Sequence, residues 1–173
     1  PFRGVRALPP GMWLRWRGGI SEVARYWEIP FPKAGQEDRT DRRRLAARLF
    51  EELARAVRLR MISDVPLGAY LSGGLDSSCV VHLMAAFHDG PLTTFSITFR
   101  EREYDESRYI RLMMDAVRID NDLLACSQAD IARAFPRLIW HAETPMISTE
   151  SVPLMLLSGL ARRKVKVVLT GEG

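Results

Sequence analysis

"AYLSGGLDSSCVVHLM", residues 69 to 84, sets two adjacent glycines and a lone aspartate between an apolar run and an amphipathic one. The run before the glycines, "VPLGAYL" from Val65 to Leu71, is short and almost wholly hydrophobic, as a parallel strand covered on both faces must be. After them, Val80, Val81, Met84 and Phe87 make one stripe, which predicts a helix from about Ser77 to Phe87, stopped by "HDGP". A strand that turns through Gly73 and Gly74 into a helix gathers backbone N–H groups and the hydroxyls of Ser72, Ser77 and Ser78 at a helix N-terminus, which is an anion site. Glycine there keeps side chains away from phosphate oxygens and permits positive φ.

Outward from this turn the pattern stays regular. "LTTFSITF" (92–99) is rich in β-branched and aromatic residues and reads as a second strand. "YDESRYIRLMMDAV" (104–117) reads as a helix opened by Asp105, with Glu106 in its first turn. "NDLLACS" (121–127) is a weaker third strand. "QADIARAFPRLIWHA" (128–142) and "VPLMLLSGLARRK" (152–164) read as helices, the first kinked at Pro136, and "VKVVLTG" (165–171) as a last strand. The order predicts an α/β fold, an open parallel sheet with helices on both faces. Such sheets bind ligands beyond the carboxyl ends of strands where the strand order reverses. If the first and last strands are neighbours, "SGGLDSS" and "TGEG" (170–173) face each other there.

Upstream, "RTDRRRLAARLFEELARAVRLR" (39–60) carries Leu45, Leu49, Leu53, Ala56 and Val57 at helical spacing, with its arginines on a solvated face. Most of the excess charge behind the net +4 lies in this segment, so a nucleic-acid partner is not expected. The first thirty residues are rich in proline, glycine and tryptophan and lack a helical period. They read as the edge of another unit, followed by the polar linker "GQEDRT" (35–40).

A chain of 173 residues can bury on the order of 70% of its unfolded surface without staples. Its apolar runs are too short to cross a bilayer, so no membrane association is expected. Cys79 and Cys126 read as buried free thiols, and the three histidines form no ligand spacing with them, so no zinc is expected. "PFRGVRALPP" lacks the features of a signal peptide, and the cytoplasm is the expected location.

Asp76 is the anomaly, since a carboxylate beside bound phosphate repels it unless a cation lies between them. The usual mononucleotide loop ends in a lysine and a serine or threonine, and this one has neither that spacing nor the lysine. From residue chemistry, Asp76 is either a magnesium ligand or, with Ser72 as the other candidate, a helix cap.

"LSGGLDSS" resembles the pyrophosphate loop, S-G-G-x-D-S, of the ATP pyrophosphatase superfamily. With "SDVPLGAYLSGGLDSS", "TFSITF", "YDES", "HAETP" and "KVVLTGEG" in order, residues 40 to 173 resemble the asparagine synthetase family. The resemblance implies an adenine-nucleotide α-hydrolase-like, Rossmann-like domain, truncated here, over residues 35–173. It also implies that residues 1–34, with "LPPG" and "RYW", are the end of an N-terminal glutaminase domain; position 1 is Pro1 where that domain's nucleophilic cysteine would stand.

The implied chemistry is attack of the aspartate β-carboxylate on the α-phosphorus of ATP. Ammonia, supplied by a glutaminase domain of the same polypeptide, then displaces AMP to give asparagine. Ser72, Gly73, Gly74, Asp76 and Ser77 would take pyrophosphate and Mg2+, with Asp76 the metal ligand. Leu71 and Ile97 would hold the adenosine, and Thr170 and Gly171 would approach the nucleotide. Glu172 would be the catalytic base or orienter. The implied partners are aspartate and ATP, and a homodimer is compatible with the family.

Two departures matter. A G-x-D-E acid and a later lysine, expected after the last strand, lie past Gly173, so a chain ending there is expected to bind nucleotide weakly and turn over negligibly. In "TPMISTESVP" (144–153), Ser148 stands where related synthetases carry an arginine for the amino-acid carboxylate, with Glu150 close by. A relative that adenylates another carboxylate, or a non-catalytic nucleotide-binding module, remains open.

Overall fold

The computed structural model describes residues 3–36, 38–99, 106–143 and 148–172. The chain divides into two units, Pro1–Arg42 and Arg43–Gly173. In the first, β1 (Met12–Arg17) and β2 (Ile20–Arg25) pair antiparallel, with Met12 opposite Arg25 and Arg17 opposite Ile20. Gly18 and Gly19 close the turn at φ of 57° and 83°, the doubly positive geometry of a type I′ hairpin. Arg15 pairs with Glu22 across the strands at 2.6 Å. Residues 1–30 lack a helical period, as expected; the hairpin within them was not foreseen.

The second unit holds the sheet. Strands β3 (Leu67–Tyr70), β4 (Leu92–Phe99), β5 (Ile119–Cys126) and β6 (Val167–Leu169) are all parallel, in the order β5-β4-β3-β6. The first and last strands of the unit are therefore neighbours, with Gly68 opposite Val168. Helix α2 (Leu75–Phe87) joins β3 to β4, and α3 (Ser107–Ala116) joins β4 to β5. Helices α4 (Gln128–Ala142) and α5 (Ser151–Ala161) carry the chain back across the sheet to β6.

Alternation along the strands splits the core in two. On one face, Ala69, Leu71, Leu92 and Leu169 pack with Val80, Val81 and Met84 of α2, Ile110 of α3, and Val57 of α1 (Arg42–Arg60). On the other, Phe95 packs with Leu157, Ala161 and Val165, flanked by Tyr70, Ile97, Leu124 and Val168. Helices thus cover both faces, as predicted. Gly68 is small for a packing reason: a Cβ there would sit 2.7 Å from the Thr93 carbonyl and 3.1 Å from the Phe95 ring.

The arginines of α1 face solvent, but its apolar stripe is narrower than its spacing predicts: Val57 is buried, whereas Leu49 is 69% exposed. Helix α2 begins two residues before Ser77. Asp105, expected to open α3, lies outside the described residues, and Glu106 holds the N-cap position. Helix α4 runs continuously through Pro136. Neither cysteine forms a disulfide; Cys126 is buried as predicted and Cys79 only half-buried. Among the described residues no helix is long and apolar enough to cross a membrane.

Helix α4 starts in a reciprocal cap. Ser127 accepts from the Asp130 N–H, and the Asp130 carboxylate accepts from the Ser127 hydroxyl and N–H. Those Ser127 bonds, with Arg133 assisting, lower the Asp130 carboxyl from 3.8 to about 2.

Two outcomes are expected. Phe95→Ala should cost about 3–5 kcal/mol in urea unfolding, because it empties the centre of the α5-side core. A depressed folded-state pKa adds stability that is complete above the ordinary value and lost as pH falls through the folded one. The difference in urea midpoint between wild type and Asp130→Asn should therefore hold at neutral pH and shrink between about pH 4 and pH 2.

Candidate active site

The site is built where β3 leaves the sheet. The Leu71 N–H donates to the Phe95 carbonyl at 2.9 Å, and the Leu71 carbonyl accepts from Ser96 Oγ at 2.6 Å. Ser96 is fully buried, with Thr94 and Asn121 beside it. Thr94 Oγ1 donates to Asn121 Oδ1 at 2.8 Å, and Ser96 Oγ lies 3.0 Å from the same oxygen. Asn121 Nδ2 has no partner among the described residues. A hydroxyl has one proton, and the shorter contact assigns that of Ser96 to Leu71. Turning the Asn121 amide over would let Nδ2 donate to both hydroxyls and leave an acceptor, which is less costly to orphan than a donor.

From Leu71 the chain enters a turn that bonds to itself. Ser72 Oγ accepts from the Gly74 N–H at 3.2 Å and lies 2.9 Å from Ser77 Oγ. Ser77 Oγ accepts from the Ser72 N–H and donates to the Gly74 carbonyl, both at 3.2 Å. Gly73 has φ of 89°, and its Cβ would meet the Glu106 carbonyl and Tyr109 Cβ at 3.1 Å, so glycine is required there by conformation and by space. Gly74 has an ordinary φ of −68°, so the positive φ predicted for the turn falls on Gly73 alone.

Gly74 is the N-cap of α2, and no side chain caps that helix. Neither Asp76 nor Ser72 is its cap, which disposes of the capping alternative. Asp76 is exposed in the first turn, where its charge suits the helix dipole. The N–H groups of Leu75, Asp76 and Ser77 have no acceptor among the described residues.

From the neighbouring strand, Thr170, Gly171 and Glu172 leave β6 toward this turn. A Cβ on Gly171 would stand 2.4 Å from Ser77 N and 2.6 Å from Ser77 Cα, so the two strand exits are packed backbone to backbone. Between them and α5 lies a cavity of about 320 Å³. It is lined by Leu71, Ser72, Gly74, Asp76, Ser77, Ile97, Thr170, Gly171 and Glu172, which is every predicted site residue except Gly73. Gly73 instead packs against the start of α3.

Sequence reasoning missed Tyr70, Leu75, Pro153, Leu154 and Leu157 in the rest of the wall; Glu150, noted beside Ser148 without an assigned role, lines it as well. Helix α5 is apolar nearly all round, so nothing in its periodicity marks the face that lines a cavity. Ser148 is not among the lining residues; its Oγ accepts from the Glu150 N–H at 3.2 Å. A larger hollow of about 800 Å³ lies between α1 and β6. It shares Asp76, Thr170, Gly171 and Glu172 with the first, so these four form the ridge between the two.

Among the described residues no three metal-binding side chains cluster. Magnesium is commonly held by one or two carboxylates together with substrate phosphates, and the exposed Asp76 beside an open phosphate cradle fits that arrangement.

A turn with open backbone N–H groups at the switch point of a parallel sheet, faced by an acidic strand exit, stands where open α/β sheets bind their ligands. The model of the asparagine synthase family matches residues 48–173, and the chain belongs to that family of carbon–nitrogen ligases, which use ATP. A Methanocaldococcus jannaschii protein with the provisional name asparagine synthetase (glutamine-hydrolyzing) 2 is 38% identical over 86% of this chain and 28% of its own length. Asparagine synthetase (glutamine-hydrolyzing) 1 of Bacillus subtilis is 31% identical over 78% of this chain and 21% of its own. Amidase chyE of Penicillium rubens is 29% identical over 99% of this chain and 28% of its own. The chain thus spans between a fifth and a third of the length of these relatives.

Gly171→Ala should force the β6 exit and the first turn of α2 apart. Overpacking of this kind costs about 1–3 kcal/mol. In the polypeptide that carries this chain, nucleotide affinity measured by calorimetric titration should fall at least tenfold. Wild-type affinity would show that the two exits do not share the ligand.

Proposed function

We propose that this chain is the nucleotide-binding part of an enzyme that adenylates the side-chain carboxylate of aspartate and converts the adenylate to asparagine with ammonia from glutamine. The observation that carries the reading is the convergence of the Ser72–Ser77 cradle and the Thr170–Glu172 exit on one cavity. Family membership and the names of two of the relatives above support it.

In this reading the free N–H groups of α2 and the hydroxyls of Ser72 and Ser77 hold the β and γ phosphates. Leu71 and Ile97 bound the adenosine, with Thr170 and Gly171 approaching from β6. A carboxylate oxygen of the acid attacks the α-phosphorus, the bond from that phosphorus to the bridging oxygen breaks, and pyrophosphate leaves. Preorganised donors stabilise the charge that gathers on this leaving group. A magnesium ion on Asp76 would supply further charge neutralisation there. Ammonia then attacks the acyl carbon, AMP departs with the bonding electrons, and Glu172 accepts the surplus proton or orients the amine.

Residues 1–34 fit the end of a glutaminase-type unit. A two-stranded hairpin is marginal alone in water, and the exposed Trp16, Ile20 and Phe31 call for a covering layer. A second reading, adenylation of a different carboxylate, is favoured by Glu150 on the cavity wall and by the relative named an amidase.

Asp76→Ala in the intact protein should lower aspartate-dependent exchange of pyrophosphate into ATP by several kcal/mol of transition-state stabilisation, a fall of roughly a hundredfold or more. Circular dichroism should be unchanged. Exchange within a few-fold of wild type would refute the metal role of Asp76.

A further inference from the structure

We propose that Ser96 is a positioning residue for the Ser72–Ser77 turn: its hydroxyl holds the Leu71 carbonyl turned into the sheet and away from incoming phosphates. The inference rests on the nucleotide reading above and concerns a side chain outside the cavity wall. Ser96 is fully buried, and alternation along β4 puts Ile97 on the cavity and Ser96 behind it.

Two serines clamp one peptide plane. Leu71 lies one residue past β3, and its N–H still donates to the Phe95 carbonyl at 2.9 Å, as a strand residue would. Its carbonyl has left the ladder: no main-chain N–H among the described residues donates to it, and Ser96 Oγ takes that place at 2.6 Å. The other end of the same peptide, the Ser72 N–H, donates to Ser77 Oγ at 3.2 Å. Side chains from β4 and α2 thus fix both ends of the plane just where the sheet lets the backbone go.

The direction of that plane matters to an anion. A carbonyl oxygen is the negative end of the peptide dipole, and Leu71 and Ser72 both line the cavity. Turned toward bound phosphates it repels them; held by Ser96 it faces the buried layer of Thr94 and Asn121. The one proton of Ser96 goes to Leu71, because a carbonyl has none to give. An amide donor beside that hydroxyl therefore orients it, whereas an acceptor competes for its proton, so the amide of Asn121, 3.0 Å away, acts with its Nδ2 toward Ser96. Asn121 directs Ser96, and Ser96 directs the turn. Thr94 meets Asn121 at 2.8 Å and makes no hydrogen bond to Leu71 among the described residues, which makes it a control within the same layer.

The test is calorimetric titration of the polypeptide that carries this chain with MgATP and with magnesium pyrophosphate, beside urea unfolding of each variant. Ser96→Ala should weaken both ligands roughly tenfold, the loss of one hydrogen bond to a buried carbonyl. Thr94→Val removes a hydroxyl of the same layer; it should lower the urea midpoint comparably and leave both affinities within about twofold of wild type. Asn121→Asp, which sets an acceptor where the amide donates, should weaken both ligands in the same direction as Ser96→Ala. Ser96→Cys keeps the shape and donates weakly, so it gives the same comparison where the alanine variant does not fold.

Unchanged affinities in the Ser96 variants, or equal losses in Ser96→Ala and Thr94→Val, overturn the inference and leave the nucleotide site standing. Wild-type affinities in Asn121→Asp overturn the part assigned to Asn121. No binding of either ligand by the wild type removes the nucleotide reading, and the inference with it.

Discussion

The close approach of Gly171 to the first turn of α2 is the contact on which the site depends. It exists because β6 pairs with β3, Gly68 opposite Val168, so both strands discharge their chains at the same edge. With β6 on the far side of β5, the acidic exit and the phosphate cradle would be separated by the width of the sheet. The pairing is in turn enforced by packing: Leu169 joins the core under α2, while Val168 joins the one under α5. A single strand of three residues is held by both layers, and its exit inherits that position.

A buried polar layer steadies the other side of the cradle. Ser96 reaches across from β4 to the Leu71 carbonyl, at the point where β3 stops being a strand and the turn begins. Burying Thr94 and Ser96, with Asn121 half-buried beside them, costs desolvation that apolar side chains would not incur. The return is positional: a hydroxyl directed at one carbonyl fixes where the turn starts more narrowly than apolar packing does. The same economy appears at Gly73, where φ of 89° and contacts with Glu106 and Tyr109 lock the turn against α3.

Much of this was legible in the sequence, for identifiable reasons. Residues 92–99 combine β-branched and aromatic side chains between turn signals, and β4 runs Leu92–Phe99. The Gly-Gly turn announced the cradle, because few other patterns need that flexibility between a strand and a helix. What stayed hidden depends on tertiary placement. Helix α5 has no polar face, so which of its residues line the cavity, here Pro153, Leu154 and Leu157, is set by how the helix packs on the sheet, which local periodicity does not encode. Residues 12–25 went unread as a hairpin because neither MWLRWR nor ISEVAR alternates apolar with polar residues and both strands are largely exposed, so only Gly18-Gly19 marked the turn. Ser96 carried a signal, a serine inside "TFSITF", whose meaning appears only once Leu71 lies beside it.

The hydrogen bonds of the cradle constrain how it can be used. Ser72 and Ser77 already engage each other, so a phosphate that takes over one of their hydroxyls exchanges one bond for another and gains little from it. The main-chain N–H groups of the first turn of α2 are different, since they have no acceptor among the described residues. Most of the favourable change on anion binding must therefore come from the helix terminus and from cations brought into an acidic cavity. Such cations act on every anion present, so occupation by a neutralised nucleotide lowers the electrostatic cost of admitting a second anionic substrate. Under the proposed reaction, that makes nucleotide binding the step that prepares the cavity for the acid.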